Sequence, residues 1–123
     1  MLSLFEILII IFVHWFADFV LQTSKQAEGK SKNLRPLLNH TLIYSSVWIP
    51  VITLLFYVQN IPLNSMIIPI IFFLVTFVSH TVTDFISSRI TSYLWKTNQV
   101  HNFFVVIGID QVFHYIQLFL TYY

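Results

Sequence analysis

The sequence predicts an all-α integral membrane protein, folded as an antiparallel four-helix bundle with both termini on the non-cytoplasmic side. The first observation is composition: 57% of the 123 residues are hydrophobic and only 9% are charged, against about 25% in a typical soluble domain. The second is length, because four apolar stretches each approach the roughly 20 residues that a spanning helix needs. The third is the uneven placement of basic residues between these stretches.

The four apolar stretches define the spans of one predicted transmembrane domain, residues 1–123. Glu6 lies near the outer end of the first stretch, and Pro36 fits the first turn of the second helix, where a missing N–H is tolerated. A short uncharged turn, residues 59–64, separates the two middle stretches. No room is left for a separate soluble domain. The predicted spans are residues 2–21, 37–58, 65–86 and 102–121.

The basic residues predict the orientation of the spans. All six lie in the first connector, residues 22–35, or in the third connector, residues 87–101. Because cytoplasmic loops carry the excess of lysine and arginine, both connectors are predicted to face the cytoplasm. Both termini and the turn at residues 59–64 then face outward. The six residues are Lys25, Lys30, Lys32, Arg35, Arg89 and Lys96.

Net charge and cysteine content exclude several classes of function. A net charge of +1 is too small to indicate nucleic-acid binding. The chain has no cysteine, so disulfides, thiolate metal sites and a cysteine nucleophile are excluded. Any metal site must therefore use nitrogen and oxygen ligands, which suits zinc, manganese or iron.

Each of the three aspartates lies four residues from a histidine inside an apolar stretch. On a helix, residues i and i+4 share one face, so each pair directs its imidazole and its carboxylate the same way. Ionisable side chains are costly in hydrocarbon and usually face a bundle interior at a functional site. The bland interpretation is that each pair neutralises its own burial by hydrogen bonding. The pairs are His14 with Asp18, His80 with Asp84, and Asp110 with His114.

The predicted topology brings these pairs and His40 into one layer in the cytoplasmic half of the bundle. Bundle cores can house metal sites built from facing helices. Two divalent ions, of which zinc is the leading candidate, could use all seven residues. A single ion could instead use three or four, with the others orienting the ligands through hydrogen bonds. The predicted metal ligands are His14, Asp18, His40, His80, Asp84, Asp110 and His114.

These ligands favour a metal-dependent membrane hydrolase that acts on a lipid or lipid-linked substrate at the cytoplasmic leaflet. The metal would activate a water molecule as the nucleophile, and Gln22 and Gln111 would orient ligands or substrate. Membrane lipids are the expected partners. The alternative is a non-enzymatic protein, either metal-stapled or proton-handling, such as a transporter subunit or a phage accessory factor. Four spans are few for a transporter, and assembly into a homo-oligomer could overcome this small size.

The order of the motifs along the chain is itself specific. The motifs are His14-Trp15-Phe16-Ala17-Asp18-Phe19-Val20-Leu21-Gln22, Lys30, Asn39-His40, His80-x-x-x-Asp84 and Asp110-Gln111-x-x-His114. This set resembles a bacterial and phage membrane family known as domain of unknown function 3307, over essentially the whole chain. The resemblance implies a four-span protein of the bacterial inner membrane and supplies no activity. A looser likeness exists to membrane-bound metal-dependent hydrolases, although the chain lacks their Pro-Asp-hydrophobic-Asp element.

Overall fold

The computed structural model describes residues 2–60, 62 and 67–123, and the regular structure within them is helical, with no strand. The all-α prediction is therefore confirmed for the described part of the chain. Helix α1 continues directly into a π-helix, and a short helix α2 precedes three long ones. The bounds are α1 Leu4–Trp15, the π-helix Phe16–Val20, α2 Ser24–Gly29, α3 Leu34–Val58, α4 Ile67–Lys96 and α5 Val100–Tyr122.

Three of these helices, α3, α4 and α5, are long and apolar enough to cross a membrane. Their lengths are 25, 30 and 23 residues. The first predicted span corresponds to α1 with 12 residues and the π-helix with 5. Each π-helical residue also advances the chain slightly less than an α-helical one, so this segment is short for a span. Its membrane crossing stays a prediction.

Helix α4 is longer than the sequence analysis predicts. It continues ten residues past Ile86, through most of the predicted third connector, and ends at Lys96. Residues 87–96 contain neither glycine nor proline, so nothing in the local sequence stops the helix. The connector to α5 is reduced to Thr97–Gln99. Part of the predicted turn at residues 59–64 and the predicted start of the third span at Ser65 lie outside the described residues.

A Schellman motif produces the sharp turn between α4 and α5. The Gln99 N–H donates to the Leu94 carbonyl at 2.9 Å, and the Asn98 N–H donates to the Trp95 carbonyl at 3.2 Å. Asn98 has a φ of 58°, the left-handed conformation that the motif requires and that asparagine tolerates. This turn sends α5 back along α4.

Hydrogen bonds join three helices at the end of the molecule away from this turn. Glu6, which also forms a capping box with Ser3 at the start of α1, accepts from Tyr122 at 2.7 Å and from Gln59 at 2.5 Å. The start of α1, the end of α3 and the end of α5 therefore lie together.

The interior of the bundle has an apolar part and a polar part. On α4, the buried side chains recur every four residues, changing from Phe72 through Thr76 to His80 and Asp84. On α3, the apolar Trp48 follows the polar His40. The apolar core comprises Ile10, Ala17, Tyr44, Trp48, Ile52, Leu55, Phe72 and Leu118. The polar part beside this core contains the predicted site.

Candidate metal centre

The structure brings all seven predicted ligands together. Six of them, His14, Asp18, His40, His80, Asp84 and His114, are 5% exposed or less. The side chain of Asp110 is 12% exposed. Within the i,i+4 pairs the nitrogen–oxygen distances are 3.9 Å for the first, 3.8 Å for the second and 3.4 Å for the third. The paired side chains share a face, as predicted, but the closest contacts of the cluster run between helices.

Four of the seven residues form the first candidate ligand group: Asp18, His40, His80 and Asp84. The Nε2 atom of His40 lies 3.0 Å from Asp18 Oδ1, 3.4 Å from Asp84 Oδ2 and 3.3 Å from His80 Nε2. His80 Nε2 lies 3.4 Å from Asp18 Oδ1 and 3.8 Å from Asp84 Oδ2. The π-helix, α3 and α4 each contribute to this convergence.

The spacing of these four atoms fits a small divalent ion. With bonds of about 2.0–2.1 Å, a tetrahedral site holds neighbouring ligand atoms about 3.3 Å apart. The observed separations of 3.0 to 3.8 Å bracket that value. Two imidazole nitrogens and two carboxylate oxygens are also a suitable donor set for zinc. The group could therefore hold a metal ion.

The second candidate ligand group contains three residues: Asp84, Asp110 and His114. His114 Nε2 lies 3.4 Å from Asp84 Oδ1 and 3.4 Å from Asp110 Oδ2. Among the described residues, the buried atoms His114 Nε2, Asp84 Oδ1 and Asp110 Oδ1 have no hydrogen-bond partner. Buried polar atoms without partners are rare and require an explanation. A cation between these atoms would supply one.

Asp84 belongs to both groups and directs a different oxygen at each. Its Oδ2 atom faces His40 and His80, whereas its Oδ1 atom faces His114. A carboxylate in this position could bridge two ions. The arrangement therefore fits the two-ion alternative of the sequence analysis as well as the one-ion alternative.

His14 lies outside both groups, because each of its ring nitrogens already has a partner. Nε2 lies 2.8 Å from Gln111 Oε1, and Nδ1 lies 2.7 Å from the Tyr44 hydroxyl. The Gln111 oxygen can only accept, so Nε2 carries the proton and the Tyr44 hydroxyl donates to Nδ1. The Gln111 amide nitrogen donates to Asp18 and to Asp110, both at 3.2 Å. His14 thus orients Gln111, which in turn orients two carboxylates.

Tyr44 was not among the residues predicted from the sequence, and it is fully buried beside His14 and His80. Besides its bond to His14, its ring stacks on His80 with a centroid distance of 3.8 Å. The signal was available: Tyr44 follows His40 by four residues and therefore shares its face of α3.

Lys30 is a basic connector residue and part of the family motif, but its contact with the cluster was not predicted from the sequence. Lys30 Nζ donates to Asp84 Oδ2 at 2.8 Å, and the side chain is 19% exposed. Burial opposes the charge on Lys30, but attraction from Asp84 and then Asp18 outweighs it and raises the pKa. The ammonium therefore stays charged beside the cluster. No spacing rule links Lys30 to Asp84, since 54 residues separate them.

Asp18 owes its position to the π-helix. The Leu21 N–H donates to the Phe16 carbonyl at 3.1 Å, a five-residue step instead of the usual four. Such a wide turn changes the direction of side chains relative to a regular helix and is frequent at functional sites. Here Asp18 contacts His40 of α3 more closely than His14 of its own segment.

A cavity of about 670 Å³ lies beside the cluster. Asp18, Asp110, Gln111 and Lys30 contribute to its wall, and so does the predicted orienting residue Gln22. The amide nitrogen of Gln22 is buried and has no hydrogen-bond partner among the described residues. Gln111 is thus within the hydrogen-bond network of the cluster, whereas Gln22 faces the cavity next to it.

The charges of the cluster do not balance when the imidazoles are neutral. Three carboxylates, Asp18, Asp84 and Asp110, face one ammonium, Lys30, which leaves two uncompensated negative charges. Uncompensated charge in a buried site is strongly unfavourable. Either a divalent cation or protonated histidines would restore the balance.

Fold and site together define a class: a helical protein with membrane-length apolar helices and a buried His/Asp cluster that could hold metal. The model of the family described as "Protein of unknown function (DUF3307)" matches residues 4–123. The chain therefore belongs to the DUF3307 family, which confirms the resemblance carried by its motifs. No curated protein and no solved structure matches it.

Proposed function

We propose that the protein is a metal-dependent hydrolase that acts on a lipid or lipid-linked substrate at the cytoplasmic leaflet of the bacterial inner membrane. One observation carries the proposal: the second ligand group offers only three residues and adjoins the cavity through Asp110. Catalytic zinc sites have three protein ligands and an open position, whereas structural sites have four. The first group has four residues, which is the number of protein ligands in a structural zinc site.

In this proposal six of the seven predicted ligands bind metal. Asp18, His40, His80 and Asp84 hold one ion, and Asp84, Asp110 and His114 hold the second. Bound divalent ions supply hydroxide at neutral pH by lowering the pKa of water to about 7. His14 has a supporting role, because both of its nitrogens serve Tyr44 and Gln111.

Gln111, His14 and Tyr44 position the proposed metal ligands through hydrogen bonds. Gln111 donates to Asp18 and Asp110 and thereby holds one carboxylate of each ligand group at a fixed separation. His14 fixes the orientation of the Gln111 amide, and Tyr44 fixes the tautomer of His14. This chain of hydrogen bonds keeps the ligands directed inward, the kind of support on which metal sites depend.

The membrane arrangement in this proposal is an antiparallel four-span bundle with both basic connectors in the cytoplasm. The cavity is lined by residues of the first connector and by the end of α4, which supports placing both at one face. The joined ends of α1, α3 and α5 at Glu6 then lie at the outer face. The cavity opens toward the cytoplasmic leaflet.

Metal analysis of the purified protein tests the ligand assignment. Wild type prepared without chelator should hold up to two equivalents of divalent metal. Asp84→Ala should lose both, because Asp84 is shared, and His114→Ala should lose the second only. His14→Ala should retain more metal than His80→Ala. His101→Ala is the matched control, since His101 is an exposed histidine at the start of α5.

Metal-free wild-type protein would disprove the metal centre, and equal losses in all five variants would disprove the ligand assignment. The hydrolase itself is tested by incubating wild type and His114→Ala with a bacterial lipid extract, with and without chelator. A product formed only by metal-loaded wild type supports it. No lipid conversion by fully loaded protein would reject it.

A second candidate function has its own supporting observation. The hydrogen bonds from Tyr44 through His14 and Gln111 to Asp18 and His40 form a continuous chain, of which only Gln111 is half-buried and the other residues are buried. Chains of histidine and carboxylate side chains, such as His40 with Asp18 here, serve proton transfer in membrane proteins. A proton-handling protein would balance its buried carboxylates with protonated histidines instead of metal. Stable folding without metal, together with proton uptake in proteoliposomes, would favour this function.

A further inference from the structure

The cavity beside the cluster follows a groove between two helix faces. Ser88, Ser92 and Trp95 of α4 are spaced by three or four residues and line one side. Phe103, Ile107 and Asp110 of α5 are likewise spaced and line the other. With a rise of about 1.5 Å per residue, the groove extends about 10 Å from the level of Asp110 to that of Phe103.

The two long sides of the groove differ in chemistry. The α4 side carries hydroxyl groups at Ser87, Ser88, Thr91 and Ser92, whereas the α5 side carries Phe103, Phe104 and Ile107 between the turn and Asp110. Beyond the hydroxyl groups, Trp95 packs on Phe103 with a centroid distance of 5.1 Å. A groove with one polar and one apolar side fits an amphiphile.

Hydrogen-bond donors collect at the end of the groove nearest the cluster. The Ser88 hydroxyl and the Gln22 amide nitrogen are buried and have no hydrogen-bond partner in the described part of the chain. Ser88 is 7% exposed. The Lys30 ammonium donates one hydrogen bond to Asp84. Because an ammonium has three N–H groups, two more can donate to a ligand. These three donors come from the first connector region and from α4, and all line the cavity.

The sign of the charge in the cavity depends on metal. Its acidic residues are Asp18, Asp110 and Glu28, and its basic residues are Lys30, Lys32 and Lys96. Metal bound by Asp18 and Asp110 would offset their charge and leave the lysines in excess. The inference below rests in this respect on the proposed function.

We infer that this cavity binds the phosphate group of an amphiphile, with Lys30, Ser88 and Gln22 as donors and the Phe103 side of the groove along its apolar chain. The three donors suit a phosphate because they offer an ammonium, a hydroxyl and an amide, each able to form a charge-assisted hydrogen bond to an anionic oxygen. The reaction of the adjacent site would then be hydrolysis of a phosphate ester of a lipid or lipid carrier: the oxygen of water bonds to phosphorus, the ester P–O bond breaks, and the leaving alkoxide oxygen takes a proton from the attacking water.

Equilibrium binding in neutral-detergent micelles tests the inference with three probes: dioleoyl phosphatidic acid, dioleoylglycerol and inorganic phosphate. The metal-loaded wild type should bind phosphatidic acid at least about tenfold more tightly than dioleoylglycerol, because one lost hydrogen bond to a charged group weakens binding by about tenfold or more. It should also bind phosphatidic acid more tightly than inorganic phosphate, which lacks the apolar chain. Equal binding of phosphatidic acid and either other probe would overturn the inference.

Two pairs of variants locate the binding. Lys30→Gln and Ser88→Ala should each weaken phosphatidic acid binding by about tenfold. The control Lys25→Gln removes an exposed lysine of the same connector, and the control Ser45→Ala removes another buried serine whose hydroxyl has no partner in the described residues. Neither control residue lines the cavity. Retained affinity in both cavity variants, or equal losses in the controls, would overturn the inference.

The binding experiments and the lipid-conversion experiment can give different results, so phosphate binding and hydrolysis are tested separately. Phosphate-selective binding that depends on Lys30 and Ser88, without any lipid conversion, would uphold the inference and reject the hydrolase. Metal-dependent conversion of a lipid without phosphate, with no preference for phosphatidic acid, would do the reverse.

Discussion

At the residue scale, Asp84 is the residue that the two candidate ligand groups share. It contacts Lys30 through Oδ2 at 2.8 Å and His114 through Oδ1 at 3.4 Å, and it belongs to both candidate ligand groups. Its carboxylate is therefore the point where the connector, α3, α4 and α5 meet. A change at this residue removes contacts to Lys30, His40, His80 and His114 together, whereas the hydrogen bonds of His14 run to Gln111 and Tyr44.

Tyr44 offers the clearest residue-scale prediction. Tyr44→Phe keeps the ring that stacks on His80 but removes the hydroxyl that donates to His14 Nδ1. Interhelical hydrogen bonds in membrane proteins contribute about 0.6 kcal/mol and up to about 1.7, so the free energy of unfolding should fall by about 1 kcal/mol. Reversible denaturation in detergent micelles measures the change.

The matched control is Tyr57→Phe, because Tyr57 lies on the same helix and is 70% exposed. This control should change the free energy of unfolding by a few tenths of a kcal/mol at most. A Tyr44→Phe variant as stable as the control would contradict the role given to the hydroxyl.

At the scale of elements, the series of buried residues on α4 explains how one helix serves two neighbours. Each step of four residues turns about 40° beyond a full turn, so the series Phe72, Thr76, His80, Asp84 winds slowly around the helix. Phe72 packs on Trp48 of α3, whereas Asp84 lies 3.4 Å from both His40 of α3 and His114 of α5. The drift of the stripe therefore carries the interior from the apolar core to the cluster.

The turn between α4 and α5 yields a prediction at this scale. Glycine adopts the left-handed conformation at least as readily as asparagine does. Asn98→Gly should therefore leave the free energy of unfolding unchanged or raise it by less than about 1 kcal/mol. Asn98→Val should lower it by about 1–2 kcal/mol, because a branched side chain is strained at a φ of 58°. Thermal unfolding followed by circular dichroism checks both variants. A tolerated valine would show that the Schellman turn contributes nothing to stability.

At the scale of the whole molecule, polar interactions occupy two levels, and the core residues Ile10, Ile52 and Leu118 lie between these levels along their helices. Glu6, Gln59 and Tyr122 join helix ends at one level, and the His/Asp cluster joins the helices at the other. The outer surface of the long helices is apolar, since side chains such as Leu74, Val78 and Phe113 are more than half exposed. The polar groups are thus concentrated where helices meet.

Because the chain has no cysteine, single introduced cysteines can report the orientation of the bundle in the membrane. Lys25→Cys and Thr97→Cys should react with a membrane-impermeant maleimide only when the cytoplasmic face is exposed, whereas Pro62→Cys should react in intact cells. The positive-inside rule is the physical basis for this expectation. Labelling of Lys25→Cys in intact cells would contradict it and place the cavity at the outer leaflet.

The sequence by itself determined the helical class, the family and the composition of the site. Apolar length and low charge require helices, since a backbone in hydrocarbon must satisfy its own hydrogen bonds. The spacing of four residues between histidine and aspartate put each pair on one face, and the structure has all three pairs within 4 Å. These features are local, so they can be derived from position along the chain.

Only the tertiary structure decided how the seven predicted ligands divide into groups and which other residues join them. The separation of His14 from the two groups depends on Gln111, which is 97 residues away, and the position of Asp18 depends on a π-helix that no sequence spacing indicates. The contact of Lys30 with Asp84 likewise joins a connector to a distant helix. Partners of this kind are chosen by packing between helices, because side-chain contacts at 3 Å depend on helix rotation and depth that periodicity leaves open.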